Sequence, residues 1–245
     1  MQSLAGVDFA EGYIAVIDKP LEWTSTDVVR KIKFALNRSG YRKIKVGHAG
    51  TLDPLATGVM AICTGKATKL IDTLQAHTKE YVATIALGAT TPSFDLETEI
   101  DARYPVEHIT RELVESTLSQ FKGAIEQVPP AFSACKIAGQ RAYHIARKGG
   151  DVDIKPKTLV IDEIELLEFS PESIVVRVVC SKGTYIRALA RDIGKALGSG
   201  GHLTALRRTR VGDINVEDCL PLDKAIEILQ VIDIEMPDDD DTQRK

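Results

Sequence analysis

Strand-like and helix-like stretches follow one another here without the regular strand–helix–strand beat of a parallel α/β protein. That order limits the fold more than any single motif. Residues 13–17 (Tyr-Ile-Ala-Val-Ile) read as a buried strand. A helix capped by Ser25 or Thr26 follows, with Val28, Val29, Ile32 and Leu36 near helical spacing, and Ser39-Gly40 ends it near Asn37. Residues 40–57 read as one long loop, and 59–63 as a short apolar strand. Residues 66–75 look helical. In 79–87, Tyr81, Ala83, Ile85 and Leu87 alternate onto one side of a strand. A helix is expected over 111–121, a strand over 132–137 after Pro129-Pro130, and a short helix over 141–147. Strands over 159–169 and 174–180, a helix over 185–197, a strand over 202–211 and a last helix over 222–232 complete the pattern. It implies an α+β protein with one large, mixed, mostly antiparallel sheet flanked by helices. Residues 1–232 then form one domain. The acidic tail, 233–245, has no apolar face and is expected to be disordered.

The densest punctuation is the run from Gly47 to Gly58, Gly-His-Ala-Gly-Thr-Leu-Asp-Pro-Leu-Ala-Thr-Gly. Pro54 fixes its own φ and biases Asp53 towards an extended backbone. The glycines permit tight conformations or close approach of a ligand. An acid held in this way serves either as a positioned reagent or as the cap of the next element, and the loop alone leaves both open.

Charge helps to choose. The net charge of −4 is carried entirely by residues 233–245, with six acids and two bases, so the body is neutral. Within it the bases cluster. Arg30, Lys31, Lys33, Arg38, Arg42, Lys43 and Lys45 precede Leu52 with no acid between. A second group holds Lys182, Arg187, Arg191, Lys195, Arg207, Arg208 and Arg210. Either could be a solvated face, but two clusters, one running into the Asp53 loop, favour a phosphate backbone as partner.

Several classes are excluded. No apolar run is long enough to span a bilayer, and no secretory leader is visible, so a cytoplasmic, membrane-free protein is expected. The four cysteines lie far apart, which fits reduced thiols better than disulfides. The five histidines show no metal-ligand spacing, so no metal is expected. Gly58–Ala67 is no phosphate loop, because six residues separate Gly58 from Gly65-Lys66 and Ala67 stands where Ser or Thr would hold magnesium. No dinucleotide fingerprint or nucleophile elbow is present, and no cofactor is expected. In Ser181–Gly194, Arg187 falls in the first turn of a helix. A cation gains nothing from the helix dipole there, so either a specific anion or chance put it there.

Together these segments resemble the bacterial TruB family, the tRNA pseudouridine-55 synthases, from Gly12 to about Gly212. Asp18-Lys19-Pro20 with Thr24-Ser25 resembles the family's first motif. Gly47–Gly58 matches its catalytic loop, and Lys79-Glu80-Tyr81 the segment of its active-site tyrosine. Ser181–Arg187 matches its arginine motif, and Leu206-Arg207-Arg208 a later leucine motif. Two departures stand out. Glu22 replaces a usual Gly, which puts the geometry of that turn in question, and no room remains for the small C-terminal PUA-type domain of many members.

The resemblance implies a pseudouridine synthase fold and conversion of uridine to pseudouridine in the T-loop of tRNA, without cofactor or metal. It makes Asp53 the nucleophile, Arg187 its salt-bridge partner, and Tyr81 the residue that stacks on the base and handles a proton. Tyr185 and Leu206 become walls of the uracil pocket, and His48 the residue that fills the vacated stack. Lys19 and Lys182 become substrate contacts. The partner is tRNA, and a monomer is the default. The rival readings are an RNA-binding folding chaperone and a synthase for another RNA.

Overall fold

A computed structural model of the chain describes residues 7–131, 136–137, 140–141 and 154–231. In chain order the elements are β1 (Ile14–Lys19), α1 (Ser25–Arg38), β2 (Val46–Ala49), β3 (Ala56–Thr64), α2 (Ile71–Ala76), β4 (Lys79–Leu87), β5 (Ala89–Thr90), β6 (Ala102–Arg103), α3 (Arg111–Ser119), β7 (Gly123–Gln127), β8 (Lys136–Ile137), β9 (Gln140–Arg141), β10 (Lys157–Ser170), β11 (Ser173–Cys180), α4 (Ile186–Ala196), β12 (Gly201–Val211), β13 (Ile214–Asn215), β14 (Leu220–Pro221) and α5 (Leu222–Val231). The expected α+β class and the mixed, mostly antiparallel sheet are both present. Most of the expected 132–137 strand, the 141–147 helix after Arg141, and the tail lie outside the described residues. Among the described residues no helix is long and apolar enough to cross a membrane.

The chain divides into two compact units. Of the described residues, the first holds 7–54, 58–75 and 214–231. There β1 runs antiparallel to β3 and parallel to β14, and β2 pairs antiparallel with β3. The apolar stripe of α1 (Val28, Ile32, Ala35, Leu36) packs with Ile17, Met60 and Ile62 of the strands and with Ala225, Ile226 and Leu229 of α5. Thr24, one residue earlier than the sequence suggested, caps α1. Its hydroxyl accepts the Asp27 N–H at 3.0 Å while Asp27 accepts the Thr24 N–H at 3.2 Å, a reciprocal capping box.

The second unit holds residues 55–57 and the described residues between 76 and 213. Its strands lie in the order β12–β4–β11–β10–β7, each antiparallel to its neighbour. The expected alternation of β4 holds, since Lys79, Tyr81, Ala83, Ile85 and Leu87 are buried and the residues between them are half-buried. Helix α4 buries Ile186, Ala188, Leu189, Ala190 and Ile193.

Candidate active site

In the first unit, Asp53 is half-buried and is held through the backbone of its two neighbours. Leu52 is 4% exposed, and the Ser25 hydroxyl serves both of its peptide groups. It donates to the Leu52 carbonyl and accepts the Leu52 N–H, each at 2.9 Å. On the other side the Pro54 carbonyl accepts the Glu22 N–H at 2.9 Å and the Lys19 ammonium at 3.3 Å. That ammonium also donates to the carbonyls of Pro20 (2.8 Å) and Trp23 (2.6 Å), and Lys19 is fully buried. Burying a lysine is costly unless its charge is met, and three carbonyl dipoles meet it here. The first motif thus grips the loop that carries Asp53.

Glu22 adopts φ +66°, the left-handed region. This is why a glycine would suit the position, and Glu22 takes it at some local strain.

The loop itself is shorter than expected. Residues 46–49 pair with β3 (Val46 opposite Thr64, His48 opposite Ile62), and β3 begins at Ala56. The alternation was too short to signal a strand, which the partner imposes. Gly50, at φ +94°, turns the chain out of β2 towards Asp53. His48 is half-buried on β2.

In the second unit, Tyr81 (8% exposed) lies on β4 opposite Arg208 of β12 and Val178 of β11. Leu206, half-buried, lies opposite Ala83, so it shares the Tyr81 face one pair further along. Lys79, two residues before Tyr81, is 6% exposed and donates to the His77 carbonyl at 2.5 Å. Burial, reinforced by the charge of Arg208 and more weakly by that of Lys182, outweighs the opposing effect of Cys180 and lowers its pKa to about 8. The Cys180 thiol is pushed up to about 11, chiefly by burial.

Tyr185 caps α4 by position, and its backbone is clamped by the buried Gln127. The Tyr185 N–H donates to Gln127 Oε1 at 2.9 Å, and Gln127 Nε2 donates to the Tyr185 carbonyl at 3.2 Å. Arg187, two residues on, is 4% exposed. Its guanidinium donates to the Ser93 carbonyl at 3.2 Å, and its Nε lies 3.7 Å from Asp95 Oδ2. Asp95 is itself 5% exposed, in a knotted turn. Thr91 and Ser93 donate their hydroxyls to its carbonyl at 2.7 and 3.2 Å, and its Oδ1 accepts the Glu97 N–H at 2.9 Å. Lys182 is exposed in the turn after β11.

The sequence reading missed Asp95, Gln127 and the loop-holding role of Ser25. None lies in a periodic pattern or a charge run. The only hint for Asp95 was the density of hydroxyl residues from Thr91 to Thr98.

A family model described as TruB family pseudouridylate synthase (N terminal domain) matches residues 38–186, and one described as tRNA pseudouridylate synthase B C-terminal domain matches residues 187–239. The chain is 66% identical to a tRNA pseudouridine synthase B of Phocaeicola vulgatus over 230 residues, 94% of this chain and 98% of the relative. It is 52% identical to one of Flavobacterium johnsoniae over 225 residues, 91% and 98% of the two chains. A crystal structure of a Cbf5–Nop10–Gar1 complex matches with a TM-score of 0.67 at 31% identity, over 89% of this chain and 54% of that one. The chain therefore spans about half the length of that solved chain.

Proposed function

The chain belongs to the TruB family of pseudouridylate synthases, and from that premise we propose that it isomerises uridine to pseudouridine in the T-loop of tRNA with Asp53 as nucleophile. The N1–C1′ bond breaks, the uracil turns while still bound, and C5 bonds to C1′ as its proton leaves and N1 gains one. Atoms and electrons balance within the substrate. Asp53 attacks C1′, adds to C6 of the uracil, or acts through a glycal after loss of a proton from C2′. Each route needs the carboxylate ionised and fixed.

The observation that carries this reading is the grip on Asp53. Ser25 holds Leu52, and the Glu22 N–H with the Lys19 ammonium holds Pro54, while Asp53 between them stays half-buried. A fixed carboxylate needs little reorganisation when it reacts. Arg187 supplies the cation that favours its charged form, Tyr81 stacks on the uracil, and Tyr185 and Leu206 wall the pocket. A nucleotide inside a folded loop must leave its stack, at a cost on the order of a few kcal/mol, and His48 occupies the vacated place. The exposed bases from Arg30 to Lys45 hold phosphates and offset that cost through counterion release. Lys182 adds a further phosphate contact. With its ammonium on three carbonyls, Lys19 acts by holding the loop rather than by touching RNA.

The test uses tRNA tritiated at C5 of its uridines. Asp53→Asn should bind tRNA within about threefold of the native protein and release no tritium above background. Substantial release by that variant overturns the assignment of Asp53.

A further inference from the structure

A groove of about 490 Å3 in the first unit lies beside α1, lined by Glu22, Trp23, Asp27, Arg30, Lys31 and Phe34. Its size falls within the roughly 300–1,000 Å3 range of small-ligand sites. Residues 27, 30, 31 and 34 recur at helical spacing, so one face of α1 presents them while Val28, Ile32 and Leu36 face the core. Phe34 is 57% exposed. One exposed ring needs no explanation. Here, however, it shares a groove with Trp23, which is half-buried, and with the exposed cations Arg30 and Lys31.

Flat apolar rings beside cations fit a ligand with a π-face and an anionic chain. Charge then separates RNA from an acidic peptide. The cations do not end at the groove but continue through Lys33, Arg38, Arg42, Lys43 and Lys45, all exposed, and the Arg38 guanidinium lies 5.8 Å from the Phe34 ring centre. Such a track suits a phosphate chain. Two acids also line the groove. Asp27 is engaged by the Thr24 cap and by Arg30 at 3.6 Å, and Glu22 lies beside Trp23 in the chain. A phosphate therefore belongs beside Arg30 and Lys31 rather than beside Glu22.

The geometry points to a second nucleotide site, in which an unpaired base of the bound RNA stacks on Trp23 and Phe34 while its phosphates meet Arg30 and Lys31. This rests on the reading that the chain acts on tRNA, and it adds a contact remote from the reacting uridine.

Trp23 is the only tryptophan of the chain, so its emission reports on the groove. Unmodified tRNA added to the full-length protein should quench that emission saturably. Phe34→Ala, at an exposed position and so expected to keep the native melting temperature, should raise both Kd and KM for tRNA about fivefold or more, in line with the loss of one base stack. Glu22→Gln, which removes the opposing charge, should lower Kd. Saturable tRNA binding with unchanged emission, together with a native KM in Phe34→Ala, overturns the groove. Normal pseudouridine formation in that experiment leaves the synthase reading standing, whereas absence of product from the native protein overturns that reading instead. Concentration-dependent self-association lost in Phe34→Ala assigns the groove to a second copy and also overturns the proposal.

Discussion

Two buried charges in the second unit show how little freedom Arg187 has. Arg187 and Asp95 are both almost fully buried, and the guanidinium is further fixed by the Ser93 carbonyl. Ion pairs at this depth gain little net stability, but removing one partner leaves an uncompensated charge, at about 3–5 kcal/mol. Asp95→Ala should therefore lower unfolding free energy by about 3 kcal/mol or more in urea denaturation. Asp95→Asn keeps the shape and the Glu97 N–H contact, and should cost less stability. Because it frees the guanidinium to turn, Asp95→Asn should still reduce tritium release at least about tenfold while tRNA affinity holds within about threefold. Loss of binding in step with turnover would instead make Asp95 a support for the RNA surface. Arg187 was legible in the sequence through its motif, but Asp95 was not. Only the folded turn from Thr91 to Thr98 brings that acid to the arginine.

At the scale of elements, β4 carries both Tyr81 and Lys79 on its buried face, so a titrating ammonium sits two residues from Tyr81 on the same strand. Lys79 loses its proton near pH 8 in the folded protein and near 10.5 when unfolded. The unfolded chain thus binds more protons between these values, and stability due to this group rises with pH across that window and is lost as pH falls through 8. Lys79→Met has no such charge to bury. Its advantage over the native protein in unfolding free energy should be largest near pH 7 and shrink by pH 9. A difference constant across this range would show that Lys79 keeps its ordinary pKa. Long periodic elements such as α1, β4, β11 and α4 were legible in the sequence nearly to the residue, because amphipathic spacing survives without knowledge of the partner. β2 was not, because four residues pairing with β3 leave no pattern of their own. The segment read as one helix from 66 to 75 is a 3-10 turn over Gly65–Leu70 followed by α2, a distinction its spacing does not encode.

For the molecule as a whole, net charge misleads about what it attracts. At 0.1 M salt, charges on the surface are screened within roughly 10 Å, so an approaching phosphate senses the local cluster and not the total of −4. The two basic clusters of the sequence also differ in kind once folded. All seven bases from Arg30 to Lys45 are exposed on the first unit. In the second unit Arg187 and Arg208 are buried, and Arg210 lies 3.5 Å from Glu80, which also pairs with Arg177 at 3.1 Å. Counting charges along the chain cannot separate a phosphate track from an internal network. We therefore expect the salt dependence of RNA binding to come mainly from the first cluster, with the exposed Lys182 and Lys195 of the second adding less. Each phosphate contact adds about −0.9 to the slope of log K against log salt for a duplex. Replacing Lys33, Arg42 and Lys43 together by alanine should flatten that slope by about 2 to 3, measured by filter binding of tRNA between 50 and 200 mM salt. The matching triple replacement of Arg177, Arg210 and Lys195 should change it by less than about 1. If the second triple flattened the slope and the first did not, the phosphate track would lie on the other unit, and the basic face of α1 would be no more than a solvated surface.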